Sequence, residues 1–519
     1  MDKSITFYLV VFVIIPLLLA LATFIVCGPK RSYLDYLFDH LERKGWTLFF
    51  SITFGYFFIF ASLSILRYLS LHTTLFDLGL YDNKVWRIAH FGELRHSITG
   101  HLRAIIILFA PLYLIVSSPI VLLSIQTFML TLGGVLLFRF SQLILNSKVA
   151  SIIILSVYFL YPSLEFNNLF DFHTDHMIIP IFFAAFCFIE QEKKRLFLLS
   201  LLPGLFLKEP LLLSLAGMGV YAIVRKRWWW EGLSVILVSL LLLYIYWNSP
   251  YCFPRGYFGN GMRTTQSDLI AFPHPFSHLG RSPSLIIFKP WMIIRELLFT
   301  DPAKMGYVIV IFMPLLFLPI FSLSPLITSI PHLIISIISH NPSHYSMAGQ
   351  YTASLIPGFF VAMIFTIKKI QQHREVMVKP VLISLLLVGL YYNVVQSPSP
   401  LSLKFWVYKN WYDKNSYLIT KRDREIMRLI KAHIPTDPEV ALCTQNTLNH
   451  AWLAHRKRYF SFPYLVKKVD YVTLDFKRPL FLVDASASPE EFRQKIKEIE
   501  ADFQKVVEWD GFFIWRRKN

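Results

Sequence analysis

Long uninterrupted apolar runs constrain this chain more than any other feature of its sequence. A bilayer core of roughly 30 Å needs about twenty apolar residues in a helix, so the longer runs predict crossings and the shorter ones must borrow flanking residues. The sequence therefore predicts an α-helical multi-pass membrane protein with about twelve transmembrane helices. The runs lie at about residues 5–27, 47–70, 119–143, 148–164, 177–190, 195–208, 210–224, 232–248, 305–322, 326–339, 351–369 and 379–396.

Composition excludes the main alternatives to a membrane protein. Hydrophobic residues make up 55% of the 519 positions, and charged residues only 16%. Soluble domains carry about a quarter charged residues, and their apolar residues form short periodic stripes. The chain is therefore not a disordered segment, a coiled coil or a collagen.

Two apolar segments each have a second interpretation. The run 5–27 competes with a cleaved signal peptide, but it is too long for a signal core and no A-x-A site follows it, which favours a membrane anchor. The segment 104–117 is followed at once by Ser117-Ser118-Pro119. It is either a re-entrant helix or a further crossing, and the sequence leaves the two open.

The placement of Lys and Arg predicts the orientation. Basic clusters follow alternate crossings, at Lys193-Lys194-Arg195, Arg225-Lys226-Arg227 and across 368–379. Cytoplasmic loops of membrane proteins carry such clusters, so much of the net charge of +18 reflects topology and does not indicate nucleic-acid binding. If the segment 104–117 does not cross, the termini and the loops 71–103 and 249–304 lie outside a plasma or inner cell membrane.

The last part of the chain has a different character. Residues 420–433 have the pattern of an amphipathic helix, and short apolar stretches near 440, 459, 471 and 480 are typical of strands. Asp510-Gly511 between two apolar segments predicts a hairpin. We therefore expect three parts: an N-terminal anchor helix and cytoplasmic loop (1–46), a polytopic membrane domain (47–396) and a small extracytoplasmic α/β domain (397–519).

The first candidate site residues lie in the outer loop 71–103. Asp77 follows a predicted transmembrane end, Asp82 comes five residues later, and His101 precedes the next apolar run. An acid at the membrane surface can serve as a general base or as a metal ligand. The alternative for Asp77 is a helix N-cap, a position at which Asp is common.

Two further clusters are predicted on the same outer side. Asp171, His173, Asp175 and His176 lie within six residues, where they either bind a metal ion or are simply solvated. Lys208-Glu209 joins two short apolar runs. It is either an ion pair between neighbours or places Lys208 against a phosphate group. The arginines of the loop 249–304 either cover an anionic lipid-linked substrate or form an interfacial belt with the aromatic residues around them.

Together these motifs resemble a known membrane family, the one described as domain of unknown function 2079. The resemblance extends over roughly residues 60–396, and that family is itself similar to the GT-C glycosyltransferases, which take a sugar from a polyprenyl-phosphate carrier on the outer membrane face. The motifs that carry it are Phe76-Asp77-Leu78-Gly79 with Asp82, His101, Asp171-Phe172-His173 and Lys208-Glu209.

The resemblance implies roles for the matched positions. GT-C enzymes keep an acidic residue in the first outer loop, which falls on Asp77 with Asp82 as the second candidate, and a second acidic site, which falls on Asp171 or Asp175. Substrate-binding residues would be His101, His173, Asp175, His176, Lys208 and Glu209. A divalent metal ion is compatible with this chemistry, but the sequence assigns no metal ligands.

The functional hypothesis is a glycosyltransferase with a polyprenyl-phosphate-linked sugar as donor and an unidentified acceptor. Asp77 would deprotonate or orient the acceptor hydroxyl while the polyprenyl phosphate leaves. The alternatives are a transporter or flippase, in which the same groups line a substrate path, and a non-catalytic membrane scaffold. The polar clusters lie at helix ends and not at mid-bilayer, which favours the transferase.

Overall fold

The computed structural model describes most of the chain. The described residues are 7–27, 31–99, 101–249, 291–295, 297, 299, 301–339, 341–407, 410–463, 466–478 and 489–518. Arg255, Arg263 and Arg281 of the loop 249–304 lie outside these residues, as does the strand expected near 480.

The membrane part consists of apolar α-helices. Five helices of the described chain are long and apolar enough to cross a membrane, and a sixth span results if one bent pair is counted. The five are Phe7–Cys27, Gly45–Leu69, Pro119–Leu145, Trp229–Asn248 and Glu375–Gln396, and the pair is Lys148–Phe159 with Pro162–Leu169, bent by 51°. A multi-pass membrane protein is thereby confirmed, and each of these spans matches a predicted apolar run.

The remaining apolar runs form shorter or broken helices, so the total of about twelve crossings stays a prediction. Ile178–Glu190 has 13 residues and Leu211–Lys226 has 16. The segment 104–117 forms a 3₁₀ turn, Ala104–Phe109, that continues into the helix Ala110–Ile115. The other α-helices before the tail are Arg31–Arg43, Leu80–Phe91, Lys194–Leu201, Trp291–Arg295, Pro302–Phe312, Ile330–Ile338 and Ile356–His373.

The C-terminal part is an α/β unit. Its helices are Leu403–Trp406, Lys421–His433, Ala451–Ala454 and Pro489–Asp502. Its strands are β1 (Leu442–Thr444), β2 (Tyr459–Ser461), β3 (Tyr471–Asp475), β4 (Phe503–Trp509) and β5 (Phe512–Arg517), in the sheet order β2-β1-β3-β5-β4. The strands β1, β2 and β3 are parallel, whereas β5 is antiparallel to β3 and β4.

Local sequence signals explain this unit. Thr420 and Asp423 form a reciprocal capping box that starts the predicted amphipathic helix. Asp510 and Gly511, at φ +47° and +81°, make the hairpin turn between β4 and β5. The helix near 420–433, the strands near 440, 459 and 471 and the hairpin are confirmed.

The α/β unit is joined to the membrane part through a shared core. Leu71, which follows the Gly45–Leu69 span, is completely buried in the same apolar cluster as Ile426, Leu442 and Phe512. The Arg478 guanidinium donates a 2.8 Å hydrogen bond to the Leu71 carbonyl and forms ion pairs with Asp423 and Asp475. The loop that begins at residue 71 therefore leaves the membrane helix already attached to the C-terminal unit.

A candidate active site at the helix ends

Asp77 lies in a single π-helical turn, Leu75–Gly79, just beyond the Gly45–Leu69 span. We term this segment the Asp77 turn. His173 Nε2 donates a 3.0 Å hydrogen bond to its carboxylate, and 26% of the Asp77 side chain remains exposed. Thr74 and Gly79 occupy the N-cap positions of the adjoining helical segments, so the N-cap interpretation of Asp77 is wrong. His173 therefore holds Oδ1, the Thr74 hydroxyl lies 3.4 Å from Oδ2, and part of the side chain remains accessible.

The charge state of Asp77 follows from its neighbours. Burial alone would raise its pKa, but the charges of His173, Lys208 and Arg103 and the His173 hydrogen bond together hold the pKa of Asp77 below its ordinary value. Asp77 is therefore a carboxylate near neutral pH.

Asp171 bonds to Thr74, the residue that immediately precedes the same turn. It is buried, and its Oδ2 accepts hydrogen bonds from the Thr74 amide (2.8 Å) and the Thr74 hydroxyl (2.5 Å). Its backbone is left-handed, at φ +47°, which is costly for a residue with a side chain. Burial and the nearby charge of Asp77 raise the pKa of Asp171 to about 6, so the two acids differ in proton affinity.

The raised pKa of Asp171 predicts a pH-dependent cost in stability. The ordinary pKa is 3.8 and the folded-state pKa about 6, so the folded protein holds the proton more tightly and loses stability as the pH rises through that interval. Asp171→Asn keeps an oxygen for Thr74 but carries no charge. We expect this variant to unfold a few degrees above the wild type at about pH 7.5 and to lose that advantage near pH 4, in thermal unfolding of the detergent-solubilised proteins. An advantage that is constant from pH 4 to about 8 would contradict the assignment.

The two histidines of the cluster are fixed by one glutamine. Gln126 Oε1, on the Pro119–Leu145 helix, accepts from the His173 amide (2.9 Å) and lies 2.8 Å from His176 Nδ1. Gln126 Nε2 donates to the carbonyls of Asn168 (2.9 Å) and Asp171 (2.7 Å). The side chain of one residue on this helix therefore holds the backbone of the segment 171–176 in place.

Lys208 and Glu209 have different partners, so the interpretation as a neighbouring ion pair is wrong. Lys208 Nζ lies 3.7 Å from Asp175 Oδ1, with both side chains buried. Glu209 pairs with His101, whose Nδ1 lies 2.6 Å from Glu209 Oε1. Burial lowers the pKa of His101 to about 4, so the neutral ring donates its Nδ1–H to the carboxylate.

Asp82 does not join the Asp77 cluster. Its carboxylate is fully buried and accepts a 2.8 Å hydrogen bond from the Tyr113 hydroxyl. His455 Nε2, from the C-terminal unit, lies 3.1 Å from Asp82 Oδ2. Shared partners therefore bring six of the candidate residues together: Asp77, Asp171, His173, Asp175, His176 and Lys208. His101 and Glu209 form an adjoining pair. Asp82 instead lies at the contact with the α/β unit.

Sequence reasoning missed Thr74, Gln126 and Arg103. Arg103 is buried, and its guanidinium carbon lies 4.8 Å from the centre of the Tyr81 ring. A basic residue two positions after His101 was a detectable signal, but Thr74 and Gln126 belong to types that occur in any helix or loop.

The site also contains buried polar atoms without a hydrogen-bond partner in the described structure. They are Asp171 Oδ1, His173 Nδ1, Asp175 Oδ2 and His176 Nε2. Among the described residues, no group of three or more His, Cys, Asp or Glu side chains has an arrangement that could hold a metal ion. The arrangement instead offers a carboxylate, hydrogen-bonding groups and two buried cations, Lys208 and Arg103.

Fold and site define a class: a polytopic membrane protein in which loops at the helix ends bring acids and cations together next to a small α/β unit. The family model described as "Predicted membrane protein (DUF2079)" matches residues 67–512. The chain therefore belongs to this family, which confirms the resemblance drawn from its motifs.

Comparison with solved structures gives a distant likeness. The crystal structure of ArnT from Cupriavidus metallidurans in the apo state superposes with a TM-score of 0.47 and 11% sequence identity, covering 87% of this chain and 95% of that one. No curated protein matches the sequence.

Proposed function

We propose that this protein is an integral-membrane glycosyltransferase that moves a sugar from a polyprenyl-phosphate donor to an acceptor at the outer membrane face. The observation that carries the proposal is the state of Asp77: an ionised carboxylate, held by His173 at Oδ1 and more loosely by the Thr74 hydroxyl at Oδ2, with 26% of its side chain exposed. Such a group can receive a proton from a hydroxyl that approaches its exposed part.

The proposed reaction is a single displacement at the anomeric carbon. The acceptor oxygen forms a bond to that carbon as the bond from the carbon to the phosphate oxygen breaks. The acceptor proton passes to Asp77, and the electron pair of the broken bond leaves with the polyprenyl phosphate. Displacement in one step inverts the anomeric configuration.

The cations of the site would stabilise the departing phosphate. Lys208 is buried and oriented by Asp175, and the charge of Arg103 reaches Asp77. Fixed positive charges at the position where negative charge develops lower the barrier, because they need no reorganisation during the reaction. His176 and the His101–Glu209 pair are proposed to complete the binding surface for the phosphate or the sugar, and Asp171 to hold the Asp77 turn through Thr74.

The finer topology belongs to the same proposal. We propose about twelve crossings, with the shorter apolar helices tilted little and extended by their flanking residues. The three parts are 1–46, 47–396 and 397–519, and the basic clusters lie in the cytoplasm. The α/β unit and the Asp77 site then lie on the side of the plasma or inner membrane that is opposite to the cytoplasm.

The test is release of polyprenyl phosphate by the purified protein. A panel of polyprenyl-phosphate sugars is incubated with the protein and an acceptor extract, with and without a divalent metal ion. Release that depends on both protein and acceptor supports the proposal and identifies the donor. Absence of release from every donor, with a protein that is monodisperse in detergent, contradicts it.

A further inference from the structure

The C-terminal α/β unit contacts the Asp77 turn directly, through one asparagine. The Asn446 carbonyl accepts a 2.8 Å hydrogen bond from the Leu75 amide, and Asn446 Oδ1 accepts a 3.0 Å bond from the Phe76 amide. The first amides of a helical turn have no partner within the turn, so they need acceptors from elsewhere. Here both acceptors belong to a residue that is 370 positions away in sequence.

A second asparagine packs against the same turn. Asn449 is completely buried, and its Nδ2 donates to the Thr73 hydroxyl at 3.3 Å. A methyl group at Gly79 would lie 2.5 Å from Asn449 Oδ1 and 3.0 Å from its carbonyl carbon. Glycine at 79 therefore permits this approach, so Asn446 bonds to the start of the turn while Asn449 contacts Thr73 before it and Gly79 at its end.

The contact continues along the helix that follows. Asn83 Nδ2 donates to the carbonyls of Ala454 (2.5 Å) and Arg456 (2.7 Å), and Arg87 donates to the Lys457 carbonyl (3.0 Å). Asp82 accepts from His455 on the same stretch. Residues 445–457, which we term the bracing segment, thus contact the Asp77 turn and the first two turns of the helix Leu80–Phe91.

We infer that Asn446 is a positioning residue, and that the α/β unit is an integral part of the site because its bracing segment fixes where Asp77 presents its carboxylate. This inference rests on the proposed transferase function for its catalytic consequence. The bracing itself is a property of the backbone at residues 74–80 and can be measured without any substrate.

The first experiment is amide hydrogen exchange of the full-length protein in detergent. Asn446→Ala removes the acceptor for Phe76, so peptides that cover residues 74–80 should exchange several-fold faster than in the wild type. Asn446→Asp keeps an acceptor oxygen and should restore most of the protection. Ile499→Ala is the control, because Ile499 is buried in the α/β unit but belongs to a different apolar cluster from the one that contains Leu71. Unchanged exchange in Asn446→Ala, or the same acceleration in Ile499→Ala, overturns the inference.

The second experiment tests the consequence for catalysis. Asn446→Ala should lower kcat about tenfold with the donor KM unchanged, since the misplaced group acts in the reaction and not in donor binding. Asn446→Asp should recover most of kcat, and Ile499→Ala should keep it. A kcat that stays at the wild-type value in Asn446→Ala overturns the positioning role while leaving the transferase proposal intact. A wild-type protein without transfer activity contradicts the transferase proposal, and the exchange experiment then decides the bracing alone.

A suppressor pair provides the sharpest check. Gly79→Ala should accelerate exchange of the turn and lower kcat, because its methyl group displaces Asn449. Adding Asn449→Gly vacates that space, so the double variant should recover protection and kcat relative to Gly79→Ala alone. General destabilisation cannot produce such recovery, since Asn449→Gly removes a further buried side chain. A double variant worse than Gly79→Ala contradicts the inferred contact.

Discussion

Replacing Asp77 by Asn is expected to lower the rate of sugar transfer by about 10²–10⁴-fold, the usual contribution of a positioned base. The amide has the shape of the carboxylate and keeps an oxygen for the His173 Nε2–H, so the turn should remain in place. It cannot accept the proton of the acceptor hydroxyl. The measurement is the initial rate of polyprenyl phosphate release, together with thermal unfolding of the same preparations.

The control for this variant is Asp502→Asn. Asp502 is exposed at the end of the helix Pro489–Asp502, in the α/β unit. The same chemical change there should leave the rate within about twofold of the wild type, as for most surface substitutions. Turnover by Asp77→Asn close to that of Asp502→Asn would remove Asp77 from the mechanism.

The lowered pKa of Asp77 refines its proposed role. A carboxylate stabilised by His173, Lys208 and Arg103 is a weak base, so it should receive the proton late, when the acceptor oxygen has already begun to bond and has become acidic. Before that point Asp77 mainly orients the hydroxyl. The same charges keep Asp77 ionised down to mildly acid pH, so a fall in rate between about pH 8 and 6 should not arise from this residue.

The sequence pattern located the cluster of polar residues in the segment 171–176 because ionisable residues are rare between apolar runs. Ionisable residues are costly beside hydrocarbon, so Asp171, His173, Asp175 and His176 stand out among apolar runs. The pattern alone could not show which of the candidate residues contact one another. That Lys208 contacts Asp175 and not its neighbour Glu209 depends on how the short helices meet in three dimensions.

In the C-terminal α/β unit the local elements could be predicted from the sequence, but their contacts could not. Its helix and hairpin were predictable, because capping residues and Asp-Gly turns act locally. Its contact with the Asp77 turn was not predictable, since an asparagine such as Asn446 has no distinctive pattern and bonds to residues 370 positions away. The separation of Asp82 from Asp77 has the same origin: five positions apart on a helical segment, they face different parts of the molecule.

Removing the charge of Lys208 should have two separable effects. Lys208→Met leaves the buried Asp175 carboxylate without its ion pair, and breaking a buried pair in this way destabilises a protein by about 3–5 kcal/mol. It also removes a phosphate contact, which should raise the donor KM by about 10–100-fold, because hydrogen bonds to charged groups contribute about 1.5–3 kcal/mol. Thermal unfolding and donor saturation curves measure the two effects independently.

The double variant Lys208→Met with Asp175→Asn separates stability from binding. Neither site then carries a buried charge, so the unfolding temperature should return most of the way to that of the wild type, while the donor KM stays high. The exposed pair Lys505–Glu508 is the control, since Lys505→Met should change stability by less than about 1 kcal/mol and leave the KM unchanged. Recovery of both stability and donor KM in the double variant would mean that Lys208 serves only to neutralise Asp175, and the phosphate contact would then have to come from another cation, of which Arg103 is the first to test.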